Sequence, residues 1–520
     1  MKLARSSMIT KIDAFSAEKL NLSVKELMKK SGEAVADAVR MRVPKGESVI
    51  VLAGKGNNGG DGYAAAVSLM DEYSVKVIDV FGKGQKNEAG QYFLELYLKR
   101  GGELCNYEPT EAQNSEIKSS DCIIDAVFGT GFKGEMPESI RPLAIAVREA
   151  VGTHKIAIDV PLGINADNGS LSDFAISVEA TVALSFIKPG IISYPARAYV
   201  GEIIYDSLGL PEKEINEKFH FRYHMVDLKF VKENIPPRDS NSNKGSFGKA
   251  LLITGSSKYR GAAHLSAEAA LRGGVGSVTY LGSPMLISEL SSKYPEIIYK
   301  EKSEDANIER EEIDKICELS TSYSATLIGS GSDNTEGLLQ LILALLGSEG
   351  GVLILDADAI NALATIGEEG ILALREAKRP LIITPHPLEF ARISGTDVAN
   401  VQLHRLELAE KFAKQNNVVL VLKGASTIVT DGKTVYINTS GSSALSKAGS
   451  GDVLAGLICA MCAQGGISPL VASALAVYLH GGAGDTLSKK YSTYGVTPSD
   501  LPKMIAEELA KIENTDFSEI

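Results

Sequence analysis

An apolar strand that runs straight into a glycine-rich turn and then a helix recurs along this chain, and that arrangement restricts its fold more than any other feature. Ser48 to Ala53 (Ser-Val-Ile-Val-Leu-Ala) is short and apolar, as a buried strand should be. It leads directly into Gly54-Lys55-Gly56-Asn57-Asn58-Gly59-Gly60-Asp61-Gly62, after which Tyr63 to Met70 returns to helical character. Strand, glycine loop and helix in this order form the phosphate-binding unit of doubly wound α/β folds, where ligands sit at the carboxyl ends of the strands. The loop is not G-x-G-x-x-G and lacks a Lys-Ser/Thr ending, so the usual dinucleotide and P-loop signatures do not describe it. Asn57, Asn58 and Asp61 add amide and carboxylate groups beyond what a turn requires.

Further units follow. Residues 75–81 read as a strand and 88–100 as a helix. Cys122 to Val127 is a strand ending in Phe128-Gly129-Thr130-Gly131-Phe132-Lys133-Gly134, and Lys155 to Val160 one ending in Pro161-Leu162-Gly163. Asp125 and Asp159 stand in or at the end of these apolar strands, where an unpaired carboxylate is costly. Each alone could be a turn acceptor. Together with the two glycine loops they share one rim. Two helices are expected before this unit, near 8–20 and 23–41, the second opened by the capping box Ser23-Val24-Lys25-Glu26.

Residues 213–235 are charged and poorly periodic and end before Pro236-Pro237, so a linker is placed there between domains of residues 1–212 and 236–520. The strand-and-turn pattern then restarts at Ala250 to Thr254. Late in the chain comes Ser446-Lys447-Ala448-Gly449-Ser450-Gly451-Asp452, followed by the apolar run Val453, Leu454, Leu457, Ile458 and Met461. Its glycines allow close backbone approach, and the helix start suits a phosphate. Asp452 is then either an N-cap or a base that takes a proton from an attacking hydroxyl. Lys423, before Gly424-Ala425-Ser426-Thr427, is either a solvated strand end or a phosphate ligand.

At 520 residues the chain exceeds one ordinary core. Its net charge of −12 argues against a nucleic-acid or anionic-membrane surface. Five scattered cysteines make no disulfide framework, and Cys459 and Cys462 read as buried helical thiols. With no membrane span or signal peptide evident, the cytoplasm is the expected compartment.

On Asn57-Asn58-Gly59-Gly60-Asp61-Gly62, on Asp125 with Gly129-Thr130-Gly131, and on Asp159-Val160-Pro161-Leu162-Gly163, the first half resembles the NAD(P)H-hydrate epimerase family. The second half resembles the ribokinase-like superfamily and, within it, the ADP/ATP-dependent NAD(P)H-hydrate dehydratases. It does so on Asn243-Lys244-Gly245-Ser246-Phe247-Gly248, Gly261-Ala262-Ala263, Asp356-Ala357-Asp358, Thr384-Pro385-His386-Pro387-Leu388-Glu389, Lys423 to Thr427, and Gly449 to Leu454. The resemblance implies an α/β protein of two domains, a Rossmann-like three-layer sandwich and a ribokinase-like α/β/α domain. It implies epimerisation of hydrated NADH and NADPH in the first domain and ADP-dependent dehydration of one epimer in the second, giving AMP and phosphate.

For the epimerase site the resemblance implies Asp159 as catalyst and a hydrate site of Asn57, Asn58, Gly59, Gly60, Asp61, Gly129, Thr130, Gly131, Phe132, Lys133, Gly134, Glu135 and Asp159. Potassium would be held by Asn58, Asp125 and the Leu162 carbonyl. For the dehydratase it implies Asp452 as general base, Ala262, Gly331, His386 and Asp452 on the hydrate, and Lys423, Gly424, Ala425, Ser426, Thr427 and Gly451 on the nucleotide with Mg²⁺. Two places depart from the family pattern. Leu162 replaces a Ser or Thr, and Gly329-Ser330-Gly331-Ser332-Asp333 stands where Gly-Pro-Gly-Leu-Gly is commoner. The expected partners are small molecules, with neither nucleic acid nor membrane, and a homo-oligomer is expected. The competing readings are a ribokinase-type small-molecule kinase with a regulatory N-terminal domain, and a ligand-binding scaffold.

Overall fold

The computed structural model describes residues 1–19, 22–82, 87–304 and 308–515. They divide into one compact unit of residues 2–223 and another of Met1 with residues 224 onward.

The first unit is built on seven strands: β1 (Ser48–Ala53), β2 (Ser74–Asp79), β3 (Glu103–Asn106), β4 (Cys122–Ala126), β5 (His154–Ile158), β6 (Ala180–Leu184) and β7 (Glu202–Asp206). They lie in the order β3-β2-β1-β4-β5-β6-β7, and all pairs are parallel. Successive side chains of a strand face opposite sides, and β1 uses both. Val49, Val51 and Ala53 enter one core, with the helices Val24–Arg40 and Asn57–Leu69. Ile50 and Leu52 enter the other, with the helix Arg141–Glu149. That is the expected three-layer sandwich. The strand order reverses between β1 and β4, which opens a crevice at their carboxyl ends. The Ser23–Glu26 capping box forms as the sequence indicates.

Residues 213–235 are more than a linker. They hold the helix Glu212–Lys218, strand β8 (Tyr223–Val226) and the helix Leu228–Asn234. Each buries only one or two apolar side chains, such as Ile215, Val226 and Val231. So few buried positions leave no readable period, and this hid the elements in the sequence.

The second unit adds β9 (Lys249–Ile253), β10 (Ser277–Gly282), β11 (Ile298–Glu301), β12 (Ala325–Ile328), β13 (Val352–Leu355), β14 (Leu381–Ile383), β15 (Val419–Leu422), β16 (Ile428–Thr430) and β17 (Val435–Asn438). The order runs β8-β17-β16-β15-β14-β13-β12-β9-β10-β11. The strands from β9 to β15 pair in parallel, whereas β16 and β17 are antiparallel. The helix Ser450–Ala463 is buried at every position from Val453 on. Its sequence is apolar all round, as a central helix must be. It packs on the helix Arg260–Arg272 through Ala263, Ala267 and Ala270. The approach is close enough that a Cβ on Gly456 would lie 2.2 Å from the Ser266 carbonyl oxygen. Cys459 and Cys462 are buried thiols of this helix, as expected. Among the described residues no helix is long and apolar enough to cross a membrane.

Gly456→Ala is therefore expected to destabilise the second unit by about 1–3 kcal/mol through overpacking against backbone, read as a lower denaturant midpoint. Gly261→Ala, whose Cβ would meet nothing within 4 Å, should stay within about 0.5 kcal/mol of the parent.

Candidate active sites

In the first unit the loops after β1 and β4 face each other across the strand-order reversal. Asn58 ties them together, its side-chain amide donating to the Phe128 carbonyl at 2.9 Å. A cavity of about 170 Å³ opens beside them. Of the expected residues, Asn57, Asn58, Asp61, Gly129, Thr130 and Asp159 line it. Gly59 and Gly60 are buried beneath, and a Cβ on Gly59 would lie 1.8 Å from the Gly54 carbonyl oxygen. The expected run continues beyond the cavity wall. Phe132 packs on Phe128 at 5.3 Å, and Gly131, Lys133, Gly134 and Glu135 are exposed. Lys133 points to Asp167, at 4.0 Å.

Asp159 has φ +68°, a strained conformation held by its surroundings. Its carboxylate accepts from the Leu184 amide at 3.3 Å and is ion-paired to Lys188. Lys188 is 1% exposed and also donates to the Leu184 carbonyl at 2.9 Å. Burial, and then the nearby Asp159, push Asp61 well above the usual carboxylate range, against a hydrogen bond with Ser31. Asp13, on the helix Ser6–Lys19, lines the same cavity, and burial pushes it up to about 6. Asp13, Ser31 and Lys188 were not anticipated from the sequence. Lys188 carried a signal, a cation at the end of an apolar run. Asp13 carried none, because its helix precedes the strand-and-turn units.

Asp125 is 1% exposed. It accepts from the Val127 amide at 3.2 Å and the Leu162 amide at 2.6 Å, yet burial pushes it up to about 7. Among the described residues Asp125 has no ion pair, and a buried carboxylate of this kind is a hard donor that suits a potassium ion. The Leu162 carbonyl, expected to serve the ion, is already engaged by one donor: it accepts from the Ile176 amide at 3.0 Å, and the Leu162 N–H is turned on Asp125.

In the second unit four adjacent strands each deliver one residue at their carboxyl ends. They are Ser330 after β12, Asp356 after β13, Thr384 after β14 and Lys423 after β15. Asp356 is the hub, 1% exposed. It accepts from Lys423 at 2.9 Å, Thr384 at 2.6 Å and Ser330 at 2.8 Å. Ser330, in the run that departs from the family pattern, thus contributes a donor. Lys423 is not a solvated strand end: its ammonium donates to Asp356 and keeps further N–H groups. A Cβ on Gly451 would lie 3.3 Å from its ammonium. Gly424 to Thr427 form a turn with φ +132° at Gly424 and +51° at Ser426. Beneath it, Arg405 donates to the carbonyls of Leu422 and Lys423 at 3.2 and 3.1 Å.

Asp452 is no cap. The helix is capped by Gly449 at φ +97°, and Asp452 lies in its first turn. Burial, then the charge of Asp356, push its carboxyl up to about 7 against the opposing pull of Lys423. The helix start is fastened by His480, whose Nε2 lies 3.1 Å from the Ser450 carbonyl oxygen. Burial pushes that imidazole down to about 4, so it stays neutral. His386 caps its own helix, Nδ1 accepting from the Leu388 and Glu389 amides at 3.2 Å each. The proton therefore sits on Nε2, 3.1 Å from the buried Glu389 carboxylate. Gly331, at φ +61°, abuts Ala262: a Cβ there would lie 2.6 Å from the Ala262 Cβ. Glu389 was quoted only as a motif position, and His480 and Arg405 were not anticipated from the sequence. A larger cavity, of about 780 Å³ by Lys300, Glu309 and Lys315, touches none of the expected residues.

Comparison with known proteins bears on both units. Residues 250–507 match the NAD(P)H-hydrate dehydratase family, and residues 24–190 match the YjeF-related protein N-terminus. The bifunctional NAD(P)H-hydrate repair enzyme Nnr of Moorella thermoacetica is 32% identical over 99% of this chain and 97% of its own. That of Escherichia coli K12 is 31% identical over 94% and 90%. The crystal structure of the ADP/ATP-dependent NAD(P)H-hydrate dehydratase from Bacillus subtilis, co-crystallised with ATP/Mg²⁺, is 30% identical, with a TM-score of 0.49. It covers 55% of this chain and 98% of its own. The chain thus belongs, along its whole length, to the family of bifunctional NAD(P)H-hydrate repair enzymes.

Proposed function

We propose that the first unit interconverts the two epimers of hydrated NADH and NADPH, and that the second dehydrates one of them at the expense of ADP. The observation that carries this is Asp452, a partly buried carboxylate in the first turn of a buried helix, beside the Asp356–Lys423 pair.

The hydroxyl that water has added at ring carbon 6 is a poor leaving group. Asp452 takes its proton, and the oxygen attacks the terminal phosphoryl group of ADP, releasing AMP. The phosphate ester then leaves with its electron pair, and loss of the neighbouring ring proton restores the dihydronicotinamide. The amides at the Ser450 helix start and the ammonium of Lys423 stabilise the transferring charge. The Gly424–Thr427 turn holds the nucleotide, while Ala262, Gly331 and His386 contact the hydrate. Among the described residues no three His, Cys, Asp or Glu side chains gather as a metal cage. Mg²⁺ would accordingly ride on the nucleotide phosphates and supply charge neutralisation there. In the first unit Asp159 handles the proton at the ring, and Asn58 with Asp125 would hold potassium, which supplies positive charge beside the substrate.

The test is racemic hydrated NADH supplied with ADP or ATP, with recovery of reduced-nicotinamide absorbance and free phosphate followed together. A stable phosphorylated product would instead identify a kinase. Asp452→Asn is expected to lower the dehydration rate by about 10²–10⁴-fold while both epimers still interconvert. Asp452 works only when ionised, so dehydration kcat/KM in the parent should fall as pH drops through about 7. Measured over pH 5–9, that limb should vanish in Asp452→Asn. Asp159→Ala should leave dehydration of the accepted epimer intact and stall racemic hydrate near half conversion.

A further inference from the structure

We propose that Asp13 is the second acid–base group of the first unit's cavity, working opposite Asp159 on the hydrated ring. This rests on the epimerase reading of that cavity.

The chemistry asks for two such groups. Carbon 6 of the hydrate bears a hydroxyl and is bonded to ring nitrogen 1. Inverting it by elimination and readdition needs an acid for the departing hydroxyl and a base for the entering water. In the first step the acid's proton goes to the hydroxyl oxygen. The C6–O bond breaks with its electron pair going to oxygen, and the nitrogen lone pair forms a C=N⁺ bond as water leaves. In the second step water adds to the other face, and its surplus proton passes to the base. One proton enters and one leaves, so nothing is consumed. The reverse reaction exchanges the two roles.

The cavity holds three carboxyl groups in three different environments. Asp159 is paired to Lys188, which is 1% exposed and cannot turn elsewhere. Asp61 also lines the cavity, but desolvation and the nearby Asp159 push it well above the usual range against a hydrogen bond with Ser31, so it holds its proton and is a poor shuttle. Asp13 lines the cavity from a separate helix and is only partly buried. It feels the opposing charges of Lys188 and Asp159, and burial leaves it near 6, where a group both gives and takes protons at neutral pH. The helix Val24–Arg40 faces the cavity with Leu27, Met28 and Ser31, none of them charged. Environments that separate the proton affinities of neighbouring carboxyls are how an acid and a base are assigned within one site.

The experiment uses the full-length protein and each purified epimer of hydrated NADH, with interconversion followed chromatographically across pH 5–8. Asp13→Asn is expected to lower epimerisation kcat by about 10²-fold or more with KM within threefold. Asp13→Glu should recover much of the loss. In the parent, an acid that must be protonated makes epimerisation kcat/KM fall as pH rises through about 6, and that fall should be absent in Asp13→Asn. Reaction in H₂¹⁸O should place one solvent oxygen on the inverted epimer, and an unlabelled product overturns the elimination step. A parent that is active while Asp13→Asn keeps its rate, or loses rate but retains the limb near pH 6, overturns the assignment of Asp13 alone. A parent that interconverts the epimers no faster than buffer overturns the reading of the cavity itself.

Discussion

Removing a carboxylate from water is the constraint on which both halves of this protein turn. Parallel strands covered on both faces by helices leave their carboxyl ends as the place where polar groups gather, and those ends are dry. Asp125, Asp159, Asp356 and Asp452 all sit there. An isolated charge in such a setting costs several kcal/mol or shifts its proton affinity instead. Much of the local architecture answers that cost. Asp159 and Asp356 each acquire a lysine, Lys188 and Lys423, that is itself largely or wholly buried. Among the described residues Asp125 is met by two backbone N–H groups, and Asp452 is raised by burial and by Asp356, so both titrate near neutrality.

The distinction sorts the roles. A carboxylate locked to a lysine and two hydroxyls, as Asp356 is, organises its neighbours. Breaking such a pair from either side strands a buried charge. A carboxylate left near neutrality can take up a proton and give it back. The second unit therefore sets a paired aspartate and one near neutrality about a single lysine, which attracts both and lies close to the helix start, 3.3 Å from where a Cβ on Gly451 would stand.

Most of the frame was legible in the sequence because it rests on short-range patterns. Apolar runs followed by glycine turns marked β1, β4, β5 and β9, and the capping box at Ser23 fixed the start of its helix. The glycines and aspartates of the turns could be named because close backbone approach and strand-end burial leave few other residue choices. Groups brought in by tertiary packing escaped. Asp13 comes from a helix outside the repeating units, Lys188 reaches Asp159 across 29 residues of sequence, and His480 crosses from another helix to hold Ser450. Nothing local announces such contacts. Leu162 shows another limit, since its motif position marked the neighbourhood but gave no sign that its N–H would be turned on Asp125.

The tight seat of the Ser450–Ala463 helix has a stereochemical consequence. With Gly456 pressed on Ser266 and His480 clasping its first turn, the helix cannot roll, and Asp452 cannot follow a substrate around. A proton acceptor held in that way would meet a ring hydroxyl from one side only. Damage that arises in two handed forms would leave one of them stranded at such a site, beyond rescue however long the enzyme waits. Rigidity in the second unit would in that case be what makes a hand-exchanging first unit useful.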